Sequence, residues 1–179
     1  AAGFSLLILR GILPDFFTVI VANILILTSP NLYYIAVSRF TGQAYSKRFI
    51  IVIIALTAGL LSIFLYFNNN VGTRIIIVSI GGALSTLMII FTAWKSRHVS
   101  YRFSMGLAVI PFCVYSLFLI ARALFTAFNP PQTIFSNSTA ESAAYILLFI
   151  ISFLWTIGFM LMFSQRLQGD LSELANTDT

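Results

Sequence analysis

The residue best suited to chemistry is Arg122, a guanidinium inside the apolar run Ser116 to Phe128. It stands six residues before Phe128, which at about 1.5 Å per helical residue places its backbone roughly 9 Å below the end of that run. An arginine at that depth costs at least ~2 kcal/mol unless it snorkels, pairs or faces a wet cavity. Two uses follow. Arg122 reaches the interface or pairs with Asp15 or Glu141, or it joins Arg10 and Arg74 around an outward-opening pocket for an anionic group. Guanidinium offers the planar fork that carboxylate and phosphate accept. Three arginines against two acids leave a surplus of positive charge, and that surplus motivates an anionic or amphiphilic ligand. Asn23, eight residues after Asp15 and so on roughly the same helix face, forms the pocket floor in this reading or bonds another helix. Asp15, Tyr66 and Asn68 sit near the same level, with Tyr66 and Asn68 at the rim.

No catalytic constellation accompanies these residues. The single histidine, His98, lies in a basic connection and reads as solvated. The single cysteine, Cys113, excludes an internal disulfide framework and a Cys-rich metal or redox site. Metalloprotease, phosphate-loop and nucleophile-elbow patterns are missing. The chain is therefore expected to carry no catalytic residue, metal or cofactor of its own. Asn137, Ser138 and Thr139 form a glycosylation sequon, relevant only in a eukaryotic secretory route.

The elements that must position the arginines follow from composition. With 59% hydrophobic and 8% charged residues, the chain cannot cover a water-exposed surface, for which about a quarter charged is ordinary. Lipid is the expected solvent. Runs near the roughly 20 residues needed to cross a bilayer as a helix recur at Pro14 to Ser38, Phe49 to Phe67, Ile75 to Trp94, Phe103 to Phe128 and Ala143 to Phe163. Their continuity predicts an all-α polytopic bundle of five complete spans rather than a barrel. Ala1 to Leu9 reads as the outer part of an earlier helix whose beginning precedes this chain.

The net charge of +5 reads as membrane orientation, and no nucleic-acid partner is expected. Arg39, Lys47, Arg48, Lys95, Arg97, Arg102 and Arg166 fall on one side, and Arg10 and Arg74 on the other. The first side is therefore predicted to be cytoplasmic, together with the C-terminus. The outer connections are too short to form a domain, so an external ligand must meet the helices themselves.

Pro14 with Asp15 suits a helix start. Pro30 and Pro111 fall inside spans and should kink them, with Ser29, Tyr34, Tyr115 or water satisfying the freed carbonyls. Gly81 with Ser85, Gly82 with Thr86, Ala55 with Gly59 and Ala58 with Ser62 are small residues four apart that permit close helix approach. Trp94 suits an aromatic belt at the inner boundary.

The chain divides into a bundle over residues 1–164 and a juxtamembrane segment over 165–179. Met160, Phe163, Leu167, Leu171 and Leu174 recur at spacings of three and four. This predicts a helix leaving the membrane, which either pairs in a short coiled coil and forms a homodimer or lies alone on the inner surface. Leu167, Leu171 and Leu174 are the candidate signalling positions.

The ending Leu174-Ala175-Asn176-Thr177-Asp178-Thr179 resembles the entry to a GGDEF diguanylate cyclase domain. The remainder, including Arg10-Gly11-Ile12-Leu13-Pro14-Asp15, the helix bearing Asn23 and the exit Arg39-Phe40-Thr41-Gly42, is similar to the multi-span sensory regions fused to such domains. The resemblance implies a bacterial inner-membrane protein whose missing cytoplasmic domains make cyclic di-GMP from GTP with Mg²⁺. None of that family's catalytic residues lies in this chain. The alternatives are a small-solute transporter or channel, because intramembrane charge also marks substrate paths, and the sensor of a histidine kinase.

Overall fold

A computed structural model describes residues 2–68, 70–95, 102–129 and 139–177, with backbone alone for 102–104, 139–145, 147–148, 170 and 173–177. Arg97, His98, Asn137, Ser138, Asp178 and Thr179, and the side chains of Arg102, Glu141 and Leu174, lie outside the described residues.

The architecture is all-α. Helix α1 spans Ala2–Ile8, α2 spans Ala22–Phe40 behind a π-helical turn over Phe16–Val21, α3 spans Lys47–Tyr66, α4 Val71–Lys95, α5 Arg102–Phe128 and α6 Thr139–Thr177. No strand occurs among the described residues. Five helices are long and apolar enough to cross a membrane, over Phe16–Phe40, Lys47–Tyr66, Val71–Lys95, Met105–Phe128 and Phe149–Gly169. They fall close to the five spans read from hydropathy. Large apolar side chains such as Ile51, Leu56, Phe91, Leu117, Phe125, Phe149 and Phe153 point outward, as lipid-facing surfaces require.

Helix α4 is the central element and packs against α2, α3 and α5, while α6 adds to the outer side of α5. Small residues set these approaches. A Cβ at Gly81 would stand 3.0 Å from Thr57 Oγ1, one at Gly82 2.9 Å from Leu119 Cδ1, and one at Gly158 2.8 Å from Ala108 Cα. The Gly81 and Gly82 positions thus pack as expected. Ala55 and Gly59 do not: nothing lies within 4 Å of a Cβ at Gly59. The buried residues of α3 are Ile53, Thr57, Leu61 and Leu65, a four-residue repeat that leaves Ala55 and Gly59 on the outer face.

The polar groups around Pro30, which lies inside α2, are used differently from expectation. Tyr34, expected to serve the carbonyl freed by Pro30, instead accepts the Ser46 amide at 3.1 Å, and Ser29 is exposed. Beside Pro30, the Asn31 amide donates to Leu27 O at 2.8 Å. On the predicted inner side, α2 ends in a Schellman turn. Gln43 N donates to Ser38 O at 2.8 Å and Gly42 N to Arg39 O at 3.3 Å, with Gly42 at φ +68, where only glycine is unstrained. Gln43 Nε2 then donates to Thr92 O on α4 at 3.0 Å, and Ser46 Oγ caps α3 through Phe49 N.

Helix α6 runs 39 residues, about 58 Å at 1.5 Å per residue, roughly twice the hydrocarbon thickness. It starts at Thr139, inside the stretch read as an outer connection, and continues past Phe163 to Thr177. The Ala1 to Leu9 segment forms only the two turns of α1. These pack on α2 so closely that a Cβ at Gly3 would lie 2.8 Å from Ala22 O.

Candidate functional site

Four helical faces converge on a cavity of about 100 Å³ at the end of the bundle where α4 begins. The π-helical turn contributes Val19 and helix α2 contributes Asn23, Ile26, Leu27 and Pro30, while α4 contributes Arg74, Ile75, Val78 and Gly82. Helix α5 brings Tyr115, Leu119 and Arg122, and α1 with its following turn brings Phe4, Leu7 and Arg10. Apart from the neighbouring pairs Ile26–Leu27 and Arg74–Ile75, the spacings within each helix are three and four residues, one stripe of an α-helix. The convergence therefore follows from helix packing.

Local structure explains how each arginine arrives. Arg10 precedes a tight turn in which Leu13 N donates to Leu9 O at 3.0 Å and Gly11 takes φ +90, a value open to glycine and strained for other residues. That reversal holds Arg10 beside the start of α2. Arg74 occupies the first turn of α4, which Asn70 caps by accepting the Thr73 amide at Oδ1 over 3.1 Å. Arg122 lies seven residues after Tyr115 and three after Leu119, on the α5 stripe that faces α4.

The electrostatics are unbalanced. Arg74 is only 3% exposed, and its Nε and Nη1 have no hydrogen-bond partner; Arg10 Nη1 is likewise buried and unpartnered. Arg10 and Asp15 both act electrostatically on Arg74, with opposite signs. No ion pair involving Arg10, Arg74 or Arg122 forms among the described residues. The N-terminus of α4 adds positive potential of its own. A guanidinium held out of water with no direct ion pair is costly, and an anion seated here would relieve that cost with charge-assisted bonds.

Arg10, Arg74, Arg122 and Asn23 line one cavity, as the sequence suggested, while Asp15, whose charge still acts on Arg74, and Tyr66 do not line it. Asp15 is exposed and absent from the lining. Asp15 precedes the π-helical turn over Phe16–Val21, and the lining on this element begins only at Val19. Tyr66 is 64% exposed, because it follows Leu65 by one residue and α3 supplies no lining residue. Asn68, likewise, is exposed. Asn23 spends its donor within its own helix, giving Nδ2 to Val19 O at 2.6 Å, which leaves its side-chain oxygen as an acceptor.

Sequence reasoning missed the wall built by Tyr115, Leu119, Phe4 and Leu7. The Tyr115, Leu119, Arg122 spacing of four and three carried the α5 part of that signal. It also missed an aromatic cluster that ties α2, α5 and α6 together. Phe112 stacks on Trp155 at 4.5 Å and 17°, Tyr115 meets Trp155 edge-on, and Tyr33 stacks on Phe159 at 5.0 Å and 29°. Tyr33 closes the group by touching Phe112 and Trp155.

On α6, Leu167 and Leu171 are exposed, and Arg166 lies over the Phe40 ring at 5.5 Å. No group of metal-ligating side chains occurs among the described residues. Comparison with protein-family models, with curated proteins and with solved structures found no match.

Proposed function

We propose that this chain is the signal-input bundle of a bacterial inner-membrane sensor. It takes a small anionic or amphiphilic ligand from the outer side and regulates a C-terminal diguanylate cyclase, whose GTP and Mg²⁺ belong to that missing domain. The observation that supports this reading best is the buried, unpartnered Arg74 guanidinium on a cavity wall shared with Arg10 and Arg122. A pocket of this kind favours an anion and offers no group for attacking one.

Transmission follows from Tyr115, which belongs both to that wall and to the aromatic cluster on α6. A ligand biases output only through contacts that differ between two helix arrangements, and a ring wedged between cavity and α6 is such a contact. Helix α6 then carries the change past Leu167 and Leu171 towards a homodimer of cytoplasmic domains with the C-terminus inside the cell. The test is cyclic di-GMP formation by the full-length protein in inverted membranes supplied with GTP and Mg²⁺. Periplasmic extract enclosed in the vesicles should change output for the parent protein, and Arg122→Ala should abolish the change without altering the basal rate. A response that survives both Arg122→Ala and Arg74→Gln removes the pocket from the mechanism.

A further inference from the structure

The cavity wall is divided by chemistry, and we infer that it seats an amphiphile with one anionic head, a carboxylate or phosphate monoester, on a single short apolar chain. This deepens the signal-input reading and rests on it. The head belongs at Arg74, whose side chain is 3% exposed with Nε and Nη1 unpartnered, flanked by Arg10 and Arg122 on the same wall.

Away from that end the lining turns apolar. Val78 and Gly82 continue the α4 stripe below Arg74, and Leu119 and Leu27 face them from α5 and α2. Gly82 lies eight residues beyond Arg74, which makes the slot about 12 Å deep at 1.5 Å per residue. A bare hydrated anion uses only the arginine end of such a slot, whereas an alkyl chain fills the rest and gains from leaving water. A volume of about 100 Å³ admits one chain and excludes a two-chain phospholipid body, and a depth of about 12 Å matches an extended octanoyl chain.

Gly82 sets the depth. A Cβ there would stand 2.9 Å from Leu119 Cδ1, and that flexible side-chain end would yield into the slot. Chain-length preference should therefore reside in Gly82, and head-group preference in the arginines.

The experiment titrates the chain, reconstituted in phosphatidylcholine nanodiscs, with octanoate, octanol, acetate and inorganic phosphate, reading Kd by calorimetry and thermal unfolding in parallel. Octanoate should bind saturably, with octanol, acetate and phosphate weaker by at least about tenfold, the worth of one charge-assisted bond or of a short buried chain. Arg74→Gln and Arg122→Gln should each weaken octanoate by about tenfold or more. Gly82→Ala should shift preference from octanoate to butyrate. Circular dichroism identifies the variants that fold.

Palmitoyl lysophosphatidic acid added to the nanodisc separates the sources. Competition with octanoate assigns the amphiphile to the bilayer, and lack of competition assigns it to the outer solution; both support the shared chemistry. Octanoate no tighter than octanol, or unaffected by either arginine change, overturns the inference. Phosphate or acetate as tight as octanoate and lost in Arg74→Gln overturns the apolar chain alone, leaving an anion-fed input. Absence of all binding sinks the inference and the input reading together.

Discussion

Tyr115 and Trp155 meet edge to face, with ring centroids 5.4 Å apart and planes at 86°, while Tyr115 also lines the cavity that holds the three arginines. One side chain thus touches both the candidate ligand space and the longest helix. An object in the slot cannot move Tyr115 without disturbing the packing of Trp155.

That contact gives an optical prediction. The chain has two tryptophans, and Trp94→Phe leaves Trp155 as the sole reporter. Octanoate should then shift the emission of Trp155 in the nanodisc-bound protein. Tyr115→Leu should suppress the shift while calorimetry still detects binding; a full shift in that variant would take Tyr115 out of the route.

Removing the uncompensated charge should stabilise the protein when no anion is supplied. Arg74→Met is expected to raise unfolding free energy by about 1–3 kcal/mol in phosphate-free buffer, because a buried cation without partner is replaced by an apolar chain of similar length. Thermal unfolding in nanodiscs measures it. A drop in stability would show that Arg74 is already paid for by the protein.

Two glycines should respond in opposite ways. Gly158→Val drives a side chain against the Ala108 backbone, 2.8 Å from the position of its Cβ, and should destabilise by about 1–3 kcal/mol through overpacking. Gly59→Ala meets nothing within 4 Å and should stabilise α3 by up to about 1 kcal/mol through helix propensity. Equal effects at the two sites would contradict the α5–α6 packing.

The inner turn makes a smaller, separable contribution. Tyr34→Phe deletes the hydroxyl that accepts the Ser46 amide at 3.1 Å and should cost about 1 kcal/mol. Amide exchange should quicken around Ser46 and leave the arginine end unaffected.

Pairing through α6 is testable by mass. Leu167 is 62% and Leu171 57% exposed, on the part of α6 beyond the bundle. In the homodimer proposed above, Leu171→Asp lowers the dimer fraction measured by native mass spectrometry while retaining helicity. An unchanged fraction would place this end of α6 on the membrane surface by itself.

The sequence by itself determined the solvent, the helix count and the surplus of basic groups on one side. Runs about 20 residues long leave backbone groups no option but to bond within each segment, so Lys47–Tyr66 and Val71–Lys95 were legible within a few residues. It also marked Arg122 as anomalous, because a charge inside an apolar run is costly whatever its neighbours.

Only the tertiary structure decided which polar residues share a space. Asp15 stays off the cavity wall because it precedes the π-helical turn over Phe16–Val21, and the wall on this element begins at Val19. Tyr66 falls away because α3 contributes nothing to the cavity wall. Arg10, Arg74 and Arg122 sit on different elements, and their meeting depends on how α2 and α5 pack against α4. Periodicity fixes the stripe a residue occupies within its own helix, whereas the helix that stripe faces is set by side-chain volumes from distant parts of the chain, such as Gly82 against Leu119 and Gly158 against Ala108.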